Sequence, residues 1–250
     1  MSEDSSTKQL SAEKPPASLD RQDKVLPYTG VRKTIGERLK LSVNEKPAVG
    51  LVAKVCCDRL MKYRDDLVQS GIKVSFNDML LFVVSRILCK FPEINSDLRD
   101  NEIIQKAAVN VGLAVDTEKG LMVVNAKNTD RMALSEIAET YAQLIRNVKN
   151  GVFASADIKG SSFTITNLGG FGIHHFTPII NPGECCILGV GCIERVPAVS
   201  ESGALYARHE MCLTLAFDHR IIDGVAAAKF LKEVKEFLEN PASLFESSAV

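Results

Sequence analysis

Residues 75 to 89 constrain the fold more than any other stretch. Ser75-Phe-Asn-Asp78 has the spacing of a capping box, in which the serine and the acid three residues on each satisfy a free backbone N–H at a helix start. Met79 to Cys89 behind it is apolar almost all round, and Pro92 ends it. A helix with no polar face belongs inside a domain, so this run predicts a deeply buried element. The segments around it are of mixed kind. Val31, Ile35 and Leu39 recur four apart with Arg32, Lys33 and Arg38 between them, as in a short amphipathic helix, and Pro47 closes that unit. Val49 to Val55 reads as a strand and Asp58 to Gln69 as a helix ending before Gly71. Ala107 to Val115 reads as a further strand. Asp130 to Asn150 sets Leu134, Ile137, Tyr141, Leu144, Ile145 and Val148 on one helical face, with Gly151 as its stop. Ser162 to Thr166, Cys185 to Val190 and Leu213 to Phe217 are short extended runs, and Gly224 to Leu238 is helical. A buried helix, several strands and surface helices in this order predict an α/β domain of α+β character built on a mixed sheet.

The hydrophobic pattern starts after Tyr28 and runs to about Phe245 without a second low-complexity break. That argues for one domain over residues 28–250. Residues 1–27, rich in Ser, Lys, Glu, Pro and Ala, cannot bury enough surface to fold and read as a disordered linker or tail. They lack the apolar core of a secretory signal, and no stretch of the chain approaches the roughly 20 apolar residues of a membrane span. With 30 Lys+Arg against 31 Asp+Glu, no basic surface excess points to nucleic acid. The seven cysteines are odd in number, include the adjacent pairs Cys56-Cys57 and Cys185-Cys186, and form no C-x-x-C. They fit neither a disulfide framework nor a zinc site, and a reducing, intracellular compartment is the simplest reading.

Only four histidines are present, at 174, 175, 209 and 219. His219 lies where an apolar strand ends and a helix begins, in Phe217-Asp-His-Arg-Ile-Ile-Asp-Gly224, flanked by Asp218, Arg220 and Asp223. Such a junction presents an imidazole to a cleft, as a general base needs. On pattern alone, a histidine that merely satisfies a hydrogen bond at a helix start has equal weight. His209, between Arg208 and Glu210, reads as solvated, and His174 and His175 as facing water. Cys185 and Cys186 read as core packing. Gly169-Gly170-Phe171-Gly172 lacks the spacing of a phosphate-binding loop, and its glycines read as letting the backbone turn near a substrate channel.

Asp218-His219-Arg220-Ile221-Ile222-Asp223-Gly224 resembles the D-H-R-x-x-D-G signature of the dihydrolipoamide acyltransferase catalytic domain of 2-oxo acid dehydrogenase complexes. Phe163-Thr-Ile-Thr-Asn-Leu-Gly169, Phe176-Thr-Pro-Ile-Ile-Asn-Pro182 and Ile187-Leu-Gly-Val-Gly191 are similar to that family's later runs. Val31 to Leu39 is similar to its opening helix, and Phe91-Pro-Glu-Ile-Asn95 and Gly120-Leu121 fall in the family's order. The resemblance covers about residues 28 to 245. It implies a two-layer domain like chloramphenicol acetyltransferase, with a mixed sheet and surface helices, assembled as trimers with each active site between subunits.

It also implies roles. His219 is the expected base for the coenzyme A thiol, and Thr166, where the family often has Ser, the expected oxyanion donor. Asp223 is expected to support the segment through a salt bridge to Arg32, or secondly Arg38, and Asn167 and Gly224 to support the site structurally. Coenzyme A enters as a substrate, a lipoyl group comes from a domain outside this chain, and no metal is implied. The implied partners are further copies in a homotrimer or larger trimer-based assembly, the lipoyl domain, and the 2-oxo acid decarboxylase and dihydrolipoamide dehydrogenase components. The implied location is the cytoplasm, or the mitochondrial matrix in a eukaryote. Neither a lipoyl nor a subunit-binding domain fits in residues 1–27, so the chain is either the catalytic part of a longer protein or a stand-alone acyltransferase. Val124 stands where the family has a proline. Acetyl is the most frequent acyl group in the family. Two other readings stay open: an O- or N-acetyltransferase of small molecules, which would use the same base, and a silent scaffold subunit, against which the intact His219 and Asp223 count.

Overall fold

A computed structural model describes residues 23–118 and 120–242, with Val31 described by its backbone only. Most of the expected tail, residues 1–22, lies outside the described residues. The elements are α1 (Gly30–Glu45), β1 (Ala48–Cys56), α2 (Asp58–Gln69), α3 (Phe76–Leu88), β2 (Ser96–Arg99), β3 (Glu102–Gln105), β4 (Val111–Thr117), β5 (Gly120–Asn125), α4 (Leu134–Lys149), β6 (Phe163–Asn167), β7 (Cys186–Val190), β8 (Glu194–Val199), β9 (Leu205–Asp218) and α5 (Gly224–Glu239).

The apolar run behind Ser75 is the centre of the helical layer. Ser75 N donates to Asp78 Oδ2 at 2.7 Å and Asp78 N returns to Ser75 Oγ at 3.2 Å, closing the capping box. Met79 to Ser85, Ile87 and Leu88 are buried, and α3 packs between α4 and α5. Its one buried hydroxyl, Ser85 Oγ, donates to Leu81 O at 2.6 Å and meets Thr129 Oγ1 at 2.8 Å, so no polar group is stranded there.

Helices α2 to α5 cover one face of a seven-stranded mixed sheet ordered β1-β9-β7-β6-β4-β5, with β8 on the free half of β9. The β4-β6 and β6-β7 pairs are parallel and the rest antiparallel. On the other face, Ile187 and Ala216, paired in register, are capped by Ile180 from the segment before β7. All five residues of β7 are buried, which explains why Cys185 to Val190 reads as unbroken apolar sequence.

Three differences from the expected elements have physical causes. β9 is 14 residues long and starts at Leu205, not Leu213, because its first half is polar and pairs with β8 while exposed. β4 starts at Val111, not Ala107. The preceding groups bond to loops instead: Val109 O accepts from Thr129 N at 2.8 Å and Asn110 O from Ser162 N at 2.7 Å. The hairpin β2-β3 was not anticipated. It turns at Asp100 and Asn101, both with positive φ (48° and 68°), a backbone state that Asp and Asn tolerate best after glycine.

Candidate active site

The sequence around His219 folds into a bend pinned on every side. Asp218 N donates to Cys185 O at 2.8 Å, and His219 N to Pro47 O at 3.1 Å, beside the end of α1. Ile221 N and Ile222 N both donate to Asp218 O at 3.1 Å. The Asp218 carboxylate is buried and does not face the imidazole. It accepts from Arg220 N (3.1 Å), Nε (3.0 Å) and Nη2 (2.7 Å), and so ties the arginine across the bend. The backbone at 219 is fixed while its side chain stays exposed. Its ring lies against that of buried Phe217, two residues back in β9, with centroids 5.5 Å apart at an interplanar angle of 41°. The imidazole makes no hydrogen bond to another described residue, so both its nitrogens are available to a ligand.

Asp223 is the residue before α5 and Gly224 its first residue. The Asp223 side chain is exposed and makes no capping bond. The salt bridge expected with Arg32 or Arg38 is not formed within the chain: no ion pair joins either arginine to Asp223 among the described residues, and both arginines are exposed. Position explains this for Arg32. It precedes Lys46 by 14 residues, about 21 Å along a helical path, and Lys46 adjoins the Pro47 carbonyl that holds His219.

Thr166 is half-buried near the end of β6, in register with Gly189 of β7. Its hydroxyl makes no hydrogen bond to another described residue. Asn167 holds the turn that follows: its Nδ2 donates to Asn77 Oδ1 at 2.8 Å on α3, and its Oδ1 accepts from Gly169 N at 2.8 Å. Asn77 was not singled out from the sequence; its only cue is a polar residue at the start of an otherwise apolar helix. The turn depends on close backbone approach. A Cβ on Gly191 would fall 1.8 Å from His174 O, and one on Gly169 would fall 2.6 Å from Gly191 O.

One chain does not bring Thr166 and His219 together. Thr166 aligns through Gly189 with Thr214 of β9, five residues before His219. At about 3.3 Å per residue along the strand and about 4.8 Å per strand crossed, the two lie about 19 Å apart.

A buried carboxylate that sequence reasoning passed over lies nearer the His219 end. Glu184 Oε1 accepts from Thr164 Oγ1 at 2.8 Å and from Ser161 Oγ, with Asn181 Nδ2 beside it. Burial pushes this carboxyl's pKa up, while the hydroxyl donors and the charge of Lys106 pull it down. The sequence cue is an acid two residues before an all-apolar strand.

The other sequence candidates fall elsewhere. His209, read as solvated, is half-buried and bonded: its Nδ1 lies 2.8 Å from Asp58 Oδ1, which also accepts its backbone N–H at 3.0 Å. That contact holds the Asp58 carboxyl below its ordinary pKa. His175 is exposed, and His174 Nδ1 sits 3.0 Å from Glu194 Oε1. Cys185 and Cys186 are fully buried in the core, and all seven cysteines are free. Among the described residues no helix is long and apolar enough to cross a membrane.

The model of the 2-oxoacid dehydrogenases acyltransferase (catalytic domain) family matches residues 20–246. The dihydrolipoyllysine-residue acetyltransferase component of the Bacillus subtilis pyruvate dehydrogenase complex is 37% identical over 219 residues, 85% of this chain and 49% of that protein. The chain thus spans about half the length of the curated relatives it matches. Among solved structures, an Azotobacter vinelandii dihydrolipoamide acetyltransferase, investigated for the catalytic roles of a serine, a histidine and an asparagine four positions after the histidine, superposes with a TM-score of 0.84 at 30% identity. It covers 92% of this chain and 98% of its own. The cubic core of a pyruvate dehydrogenase multienzyme complex gives 0.84 at 29% identity, with the same coverage. Chloramphenicol acetyltransferase shares the fold, with a TM-score of 0.51 at 16% identity over 81% of this chain and 94% of its own.

Proposed function

This chain belongs to the 2-oxoacid dehydrogenase acyltransferase catalytic-domain family, and from that premise we propose that it moves an acyl group, in first place acetyl, between coenzyme A and a dihydrolipoyl thiol. The observation that carries the reading is the pair of unengaged groups: an imidazole on a rigid bend at His219 and a hydroxyl on a strand end at Thr166. They are too far apart to act in one chain. Joined across an interface between copies of the chain, they supply what thiol-to-thiol acyl transfer needs, and a closed ring of three copies would give three such sites.

In this mechanism coenzyme A and the acyl-lipoyl thioester are substrates. A free thiol has a pKa of about 8.5, so a base that takes its proton as it attacks speeds the reaction near neutral pH. His219 takes the proton from the coenzyme A sulfur. The attack makes a tetrahedral intermediate whose oxygen carries negative charge, and the Thr166 hydroxyl of another copy donates to it. Collapse breaks the bond to the lipoyl sulfur, which receives the proton back from His219, and the reverse reaction exchanges the two sulfurs. Phe217 orients the ring, while buried Asp218, bonded to Arg220, stiffens the bend. Asn167 shapes the turn beyond Thr166, and Gly224 opens α5 directly after Asp223.

We read residues 28–250 as the catalytic domain and the residues before it as a linker or tail. The 2-oxo acid decarboxylase, dihydrolipoamide dehydrogenase and lipoyl domain are the proposed partners, in the cytoplasm or mitochondrial matrix. The test is a transfer assay with acetyl-CoA offered to free dihydrolipoamide and to chloramphenicol in parallel. Acetylation of the dithiol alone is expected. Faster acetylation of chloramphenicol, or transfer to neither, would overturn the reading.

A further inference from the structure

The loop between β6 and β7 and the chain leaving β7 bring to one point three metal-binding side chains to which the acyl-transfer mechanism above gives no role. His174 Nδ1 lies 3.0 Å from Glu194 Oε1 and 3.5 Å from Cys192 Sγ, and the three ligand atoms all lie within 4.8 Å of one another. A single ring nitrogen facing both a carboxylate and a sulfur is poorly served by hydrogen bonding. With its hydrogen on, it donates to the carboxylate and leaves the sulfur at most a share of that hydrogen; with it off, it accepts from the thiol but sets its lone pair against those of the carboxylate.

A cation at the centre resolves the conflict, because all three atoms then aim lone pairs at one positive charge. Zinc bonds of about 2.0–2.1 Å to nitrogen and oxygen and about 2.3 Å to sulfur, at tetrahedral angles, put N and O about 3.3 Å apart and N and S about 3.6 Å apart. The two observed separations depart from these by about 0.3 Å and 0.1 Å. A nitrogen, sulfur and oxygen set suits zinc and excludes the hard, oxygen-seeking magnesium and calcium ions. We propose that His174, Cys192 and Glu194 form a zinc-binding site, with water completing a four-coordinate shell.

The backbone holds the ligands in place without the ion. Cys192 N donates to Ile173 O at 2.8 Å, Gly191 N to Cys212 O at 2.9 Å, and the missing side chain of Gly191 lets the His174 carbonyl close in. His174 and Glu194 are both exposed, so zinc enters from solvent without unfolding anything. On entry the Cys192 thiol gives up its proton to solvent and the sulfur becomes the ligand.

The test is a zinc titration of the metal-free full chain against a chromophoric chelator, repeated with cobalt(II) as a spectroscopic probe. One zinc per chain is expected, together with a sulfur-to-cobalt charge-transfer band in the near ultraviolet. Cys192→Ser should abolish the band, and Cys192→Ser, His174→Ala and Glu194→Gln should each weaken zinc binding by at least about tenfold. Cys56→Ser and Cys89→Ser, which alter other free thiols, should change neither. Circular dichroism shows that each variant is folded before it is compared. Absence of any saturable site below about 100 µM, or full stoichiometry and unchanged affinity in the Cys192→Ser/His174→Ala double variant, would overturn the proposal.

Discussion

Thr166 and His219 stand at opposite ends of one sheet, about 19 Å apart when measured along the ladders that join them. If the two act on one substrate, they come from different copies of the chain. Trimers made only of Thr166→Val chains, or only of His219→Ala chains, should then be inactive. Trimers refolded from an equal mixture should regain up to about a quarter of wild-type turnover, because each interface needs an intact hydroxyl from one side and an intact imidazole from the other. No recovery in mixed trimers, verified by mass, would place both groups in one subunit's site.

His219→Ala should lower kcat by about 100- to 10,000-fold while melting like the parent, because the base is lost and the exposed ring holds nothing together. Near-normal turnover in that variant would remove His219 from the mechanism.

At Thr166 the forecast is graded. Thr166→Ser keeps a donor and should retain most activity, whereas Thr166→Val, nearly the same shape without a donor, should lose about 100- to 1000-fold. Steady-state kinetics of the two variants decides it, and equal rates would assign the oxyanion to another donor.

Among the described residues Asp223 has no cationic partner, so its charge should be dispensable. Asp223→Asn should stay within about tenfold of wild type in kcat/KM, a change of about 1.4 kcal/mol in barrier. A large loss matched by an equal loss in Arg32→Ala would mean that assembly creates the ion pair the single chain lacks.

Glu184 makes stability depend on pH with a definite sign. Its folded pKa is raised, chiefly by burial, so the folded state binds this proton more tightly than the unfolded state does. Its contribution is then complete below the ordinary glutamate value of about 4.3 and is lost as pH rises through the higher folded value. Relative to wild type, Glu184→Gln should therefore become more favourable as pH rises from about 4 through the folded pKa and level off above it. Urea denaturation of both proteins across that range measures the difference, and a constant gap would mean that Glu184 titrates alike folded and unfolded.

What the sequence reveals and what it hides divide along burial and distance. α3 and β7 are legible because burial on all sides demands continuous apolar residues. The first half of β9 is hidden because Arg208, His209 and Glu210 look like a polar loop until β8 and β1 supply their neighbours. His219 stands out because its whole neighbourhood, from Phe217 to Gly224, is contiguous. The gap between Thr166 and His219 is set by strand order, which no local pattern encodes. His174, Cys192 and Glu194 do not announce themselves either, since 18 and 20 positions separate the histidine from the other two and a glycine contact, not ligand spacing, joins them.

The strand order also fixes when the fold can be completed. Among the described residues β9 is the last strand to be made, yet it lies between β1 and β7, so until it arrives each of those strands shows an unpaired edge. A nascent chain that has emerged only as far as β7 holds two sticky ribbons of backbone donors and acceptors that no internal partner can satisfy. Closing the sheet joins residues more than 150 positions apart, from Ala48↔Asp218 to Cys56↔Glu210, at a high cost in loop entropy. Synthesis of this protein therefore passes through a long window in which aggregation competes with folding, and the segment that ends the window is the one that carries His219.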